Sequence, residues 1–102
     1  MYSIQLVLPD SITNLNYEDK TDIEEHFYSW MQMVVNMYKS MYSGDNFRED
    51  YFKNFKHVIS FDSIRCLIIT YNSTTKFMIK GNFDIEELIT INNNIYRMFD
   101  LI

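Results

Sequence analysis

Two hydrophobic periods alternate along this chain, and the switches between them mark out its elements. Tyr2, Ile4, Leu6 and Leu8 alternate with Ser3, Gln5 and Val7, the period-two pattern of a half-buried strand that Pro9 stops. Asp10 to Lys20 is polar and reads as a loop. Residues 23–42 then follow a helical period. Ile23, Phe27, Trp30, Val34, Met37 and Met41 recur at spacings of four and three, and Tyr28, Met31, Val35, Tyr38 and Tyr42 form a second stripe beside them. At about 100° per residue the two stripes cover roughly 180° of the circumference, against roughly 100° for an ordinary surface helix. Only Glu24 interrupts the arc. Thr21 opens this helix with Glu24 at the capping-box spacing, and Ser43-Gly44-Asp45 closes it.

A short second helix follows, capped by Asp45 or Asn46, with Phe47, Tyr51 and Phe55 as its buried ridge. From His57 the period returns to two. The pattern predicts strands over His57–Phe61, Ile64–Tyr71 and Lys76–Lys80, separated by turns at Asp62-Ser63 and Asn72-Ser73-Thr74. The last helix starts at Asp84, with Glu87 at the third position and Phe83 placed to staple onto Leu88. Ile85, Leu88, Ile89, Tyr96, Phe99 and Ile102 line one side of it, and Asn92-Asn93-Asn94 favours a bend or a frayed turn. The order β-α-α-β-β-β-α predicts one α+β domain over residues 1–102. Its sheet is mainly antiparallel, with three to four strands and helices packed on one face.

Two surfaces in this plan ask for a partner. The first is the second helical stripe, Tyr28, Met31, Val35, Tyr38 and Tyr42, because aromatic residues and Met are enriched where interfaces form. The second is a sheet face. If helices cover Ile64, Cys66 and Ile68, then Leu67, Ile69 and Tyr71 face outward, with Met78 between Lys76 and Lys80 beside them. A crossover of the short helix would cover that face instead.

Charge narrows the classes of partner. The net charge is −5, with nine acids and three bases in residues 1–50 but five acids and six bases in residues 51–102. Glu18, Asp19, Asp22, Glu24 and Glu25 cluster where the long helix begins, a place carboxylates already favour because of the free backbone N–H groups there. An acidic partner-binding patch of Glu18, Asp19, Asp22 and Glu25 is the competing explanation. No basic stripe suits nucleic acid, and no apolar run reaches the roughly 20 residues of a membrane span. With no secretory signal pattern and a single cysteine, Cys66, the chain is expected in the cytoplasm.

Candidate chemistry is sparse. Cys66 and His57 are the one thiol–imidazole pair, but Cys66 sits in an apolar Cys-Leu-Ile-Ile run that favours the unreactive thiol. Asp22 and His26, one helical turn apart, lack further ligands to complete a metal site. Gly44 and Gly81 are the only glycines, so no phosphate-cradling loop is present. Glu86 and Glu87 point in different directions on a helix and make a poor acid/base pair. No metal or other cofactor is expected, and the expected protein is not an enzyme.

Composition adds an association. There is no alanine, Gly, Pro and Arg total six, and Ile and Asn reach thirteen and ten, as in AT-rich genomes such as those of low-GC bacteria and their phages. The resulting expectation is a small protein-binding module, a phage- or mobile-element-type inhibitor that occludes a host defence protein, and a homodimer. The alternatives are an immunity protein or antitoxin that plugs a basic active site with its acidic patch, and a homodimeric structural scaffold.

Overall fold

The computed structural model describes residues 2–41 and 46–101. Its elements run β1 (Tyr2–Leu8), β2 (Ser11–Tyr17), α1 (Lys20–Met41), α2 (Asn46–Asn54), β3 (Lys56–Ser60), β4 (Cys66–Asn72), β5 (Thr75–Lys80) and α3 (Ile85–Met98). The fold is α+β, with three helices and one antiparallel sheet in the order β2-β1-β5-β4-β3. The sheet therefore has five strands rather than three to four. The added strand is β2, in the segment the polar pattern assigns to a loop. Pro9 and Asp10 make a two-residue turn, and β2 folds back on β1 from Leu8↔Ser11 to Tyr2↔Tyr17. Six of its seven residues are exposed, so no burial pattern marks it.

The long helix starts at Lys20, two residues earlier than a Thr21 cap implies, and Asp19 rather than Thr21 caps it. The Thr21 N–H donates to Asp19 Oδ1 at 2.7 Å. Its buried line is Ile23, Phe27, Met31, Val35 and Tyr38, drawn from both stripes. The sheet takes the middle of the wide apolar arc, which leaves its two margins for other contacts. Tyr28 lies on one margin, where the Asn94 Nδ2 group donates to its hydroxyl at 3.2 Å, so α3 covers that side. Trp30, Val34, Met37 and Met41 lie on the other, half-buried or exposed. Tyr42, the closing segment Ser43-Gly44-Asp45 and Ile102 lie outside the described residues.

α3 is continuous through Asn92-Asn93-Asn94, with no break at the expected bend. Glu87 Oε1 accepts from the Asp84 N–H at 3.1 Å, as the capping-box spacing requires. Its inward residues are Leu88, Ile91 and Ile95, while Ile85 and Ile89 face out. Asp100 ends it in the left-handed region at φ 53°, with the Leu101 N–H reaching Tyr96 O at 2.8 Å in a Schellman-type closure.

The register fixes which sheet face carries the core. Ile59, Leu67, Ile79 and Ile4 form one cross-strand row, and Ile69, Phe77 and Leu6 a second. Both rows join the buried residues of α1 and α3 in one hydrophobic cluster. The expected orientation of β4 is therefore reversed. Leu67 and Ile69 are fully buried under the helices and Tyr71 is half-buried beside them, while Ile68 belongs to the uncovered face.

Candidate functional site

The uncovered sheet face is built from alternate residues of all five strands. Its central row is Val58, Ile68, Met78, Gln5 and Asn14. Below it run Lys56, Thr70, Lys76, Val7 and Ile12, and above it Ser60, Cys66, Lys80, Ser3 and Asn16. Val58 and Ile12 are exposed, and Ile68, Met78 and Val7 are half-buried. Lys56, Lys76 and Lys80 flank this apolar centre, so the basic rim around Met78 is present, but with Ile68 in place of Leu67 and Ile69. Phe61 and Ile64, in the loop joining β3 to β4, are exposed at one end. An apolar strip framed by charge of one sign has the composition of a protein-contact surface.

The residues named as partner-binding on α1 serve a different role. Met31 and Val35 are fully buried and Tyr38 nearly so, all inside the monomer core. Tyr38 also accepts from the Asn54 Nδ2 group at 2.9 Å and packs edge-on against Phe55 and Tyr71. The sheet and α2 together fill the flank that the sequence left without a partner. Next to it, Val34, Met37 and Met41 line one wall of an apolar cleft of about 300 Å³, with Phe55, Tyr71 and Phe77 opposite.

The acidic residues Glu18, Asp19, Asp22 and Glu25 are all exposed around the start of α1. Asp19 is engaged as the cap. A separate acidic cleft of about 310 Å³ runs between α1 and α3, lined by Glu24, Tyr28, Glu86, Glu87, Thr90 and Asn94. There the Lys20 ammonium pairs with Glu87. That bond, aided by the Asp84 backbone N–H, holds the Glu87 carboxyl below its usual range. Glu24 shifts the other way, raised by burial and then by the Glu87 charge.

His57 and Cys66 do not meet. His57 is paired with Ile69 on the helix-covered face, and Cys66 with Ser60 on the other. Burial pushes the Cys66 thiol up, away from the reactive thiolate. His57 instead joins a network that sequence reasoning missed. Its Nδ1–H donates to Asn92 Oδ1 at 2.7 Å, leaving Nε2 to accept from the Tyr51 hydroxyl at 3.1 Å. Tyr96 stacks on the imidazole with ring centroids 4.3 Å apart. Burial lowers the His57 pKa, partly offset by the Asn92 bond, and raises that of Tyr51. Both imidazole nitrogens are engaged with protein groups, so the network works as a neutral latch joining α2, β3 and α3. The Asn92-Asn93-Asn94 run was its one visible trace, since polar residues on a buried helix margin need partners.

Among the described residues, no group of three or more His, Cys, Asp or Glu is placed to hold a metal ion, and no helix is long and apolar enough to cross a membrane. No protein-family model, no curated protein and no solved structure matches the chain.

Proposed function

We propose that this protein is a binding module that acts by contact, seating a protein partner on the uncovered face of its sheet. The observation that carries the reading is that the helices cover one face only, while the other presents Val58, Ile68, Met78 and Val7 framed by Lys56, Lys76 and Lys80. The partner this face fits has an apolar centre with carboxylates around it. Small size and AT-rich composition support the concrete form of an inhibitor encoded by a phage or mobile element, which blocks a cytoplasmic host defence protein without chemistry of its own. A second reading, an acidic plug of the immunity-protein type, draws on the exposed Glu18, Asp22 and Glu25.

The test uses the wild-type chain and two variants as baits in lysate from a low-GC bacterium. Met78→Asp places an unpaired charge at the centre of the sheet face, and a Glu18→Gln, Asp22→Asn, Glu25→Gln triple variant neutralises the acidic patch. The expected result is a protein retained by wild type and the triple variant but lost with folded Met78→Asp. Retention by Met78→Asp with loss in the triple variant overturns the sheet-face reading in favour of the plug.

A further inference from the structure

We infer that this chain forms a two-fold dimer by pairing the free edge of β2 with β2 of a second copy, which joins two five-stranded sheets into one of ten strands. The two edges of the monomer sheet differ. β3 is five residues long and begins at Lys56, both devices that discourage further pairing. β2 is seven residues long, pairs with β1 without a register break, and contains no charge and no proline. An edge of this kind invites another strand.

The sequence of β2 suits its own copy. Antiparallel pairing centred on Asn14 aligns all seven residues, Ser11 opposite Tyr17 and Thr13 opposite Leu15, each pair twice. Asn14 faces itself. Its Oδ1 already accepts from Gln5 Nε2 at 3.0 Å, which leaves its amide protons directed to the other Asn14. Neutral residues thus oppose neutral residues along the whole edge, in a chain whose charge of −5 otherwise repels its copy. Asp10 and Glu18 come together at each end, where exposed like charges are screened and cost little.

The uncovered margin of α1 lies on the same side. His26 packs tilted against Tyr17 with ring centroids 5.2 Å apart, and Trp30 and Met33 follow it on that flank of the helix. With strands about 4.8 Å apart, the part of α1 beside Tyr17, which contacts β1 and β2, lies roughly 5–7 Å from the axis. The two copies of α1 then run antiparallel on the same face of the joined sheet, each diverging from the axis toward its C-terminal end, where Tyr38 packs on Phe55 and Tyr71. The long, flexible side chain of Met33 reaches from each copy into the space between them. Near the β2 edge, Ile12, Leu15 and Met33 leave 64, 37 and 60% of their surfaces exposed. At about 200 Å² for a fully exposed residue of this size, that is roughly 300 Å² per copy, so the paired strands themselves supply the larger part of the ~800 Å² per partner of a stable interface.

This inference rests on the backbone edge of β2, whereas the proposed partner face is centred on Ile68 and Met78, and different variants test the two. Sedimentation equilibrium at high micromolar concentration is expected to give twice the monomer mass of 12.4 kDa. Asn14→Lys sets two ammonium groups opposite each other and should raise the dimer Kd at least tenfold. If that variant loses its fold by circular dichroism, Met33→Glu on the exposed helix margin carries the same expectation. Asn14→Cys should form a disulfide-linked dimer under mild oxidation, with Cys66 buried and out of reach. Wild type remaining monomeric overturns the inference. So does a dimer indifferent to both charge variants, or Asn14→Cys cross-linking no faster than Gln32→Cys on the opposite side of α1.

Discussion

Lowering the pH should destabilise this protein through His57. The imidazole is neutral in the fold, donating to Asn92 and accepting from Tyr51, and burial holds its pKa below the ordinary 6.5. Protonation puts a second N–H on Nε2, facing a fully buried tyrosine whose own proton then has no acceptor. Because the folded pKa is depressed, the unfolded chain takes up the proton first. Stability is therefore complete above about pH 6.5 and declines as pH falls from there toward the folded pKa. If His57 stays neutral in the fold, the loss between about pH 7.5 and about pH 5.5 approaches 1.4 kcal/mol, or roughly 6–10 °C in Tm for a domain of this size. The assay is urea unfolding at half-unit pH steps for wild type and His57→Gln, with the difference between them plotted against pH. That difference isolates His57 from every other titrating group. A flat difference across the window refutes the reasoning, since it means the imidazole titrates alike in the folded and unfolded chain.

Three further outcomes follow from the packing. Met31→Ala opens the core under α1 and should cost about 2–5 kcal/mol, whereas Met37→Ala, largely exposed, should stay within about 0.5 kcal/mol when both are measured as monomers by urea denaturation. Asp100→Gly relieves the left-handed backbone at the end of α3 and should add about 0.5–1 kcal/mol, read as a Tm rise of a few degrees. Tyr28→Phe removes the acceptor for Asn94 on the half-buried α1–α3 seam and should cost about 0.5–1.5 kcal/mol by the same measurement.

Sequence periodicity located every helix and four of the five strands to within a few residues, because each of those elements buries one face and so carries a period. β2 carries none. Its residues are exposed on both sides, and its pairing comes from a turn at Pro9-Asp10 and from backbone bonds that any side chains permit. The cap of α1 was displaced for a related reason: Asp19 and Thr21 both suit a helix start, and only the path of the chain out of β2 selects between them. The Tyr51–His57–Asn92 network joins residues up to 41 positions apart, a separation at which no local pattern pairs side chains.

The candidate site was harder to read than the fold, because it turns on parity. Residues Cys66 to Tyr71 are apolar on both sides of the strand except for Thr70, so the pattern identifies a strand without saying which face is inward. A one-residue change in phase exchanges Leu67 and Ile69 for Cys66 and Ile68. The neighbours resolve it. Phe77 and Ile79 must lie together, Lys76 and Lys80 are spaced to share the opposite face, and the β4–β5 register then pulls Leu67 and Ile69 inward with the first pair. Lysine placement on a flanking strand was thus the better guide to the open face than hydrophobicity on the central one. The same logic applies to α1. An apolar arc of roughly 180° asks for contacts on each flank, and only the assembled fold shows which are met within the monomer, by the sheet, α2 and α3. The remaining margin, with Met33 exposed near an uncharged strand edge, is what the proposed dimer would account for.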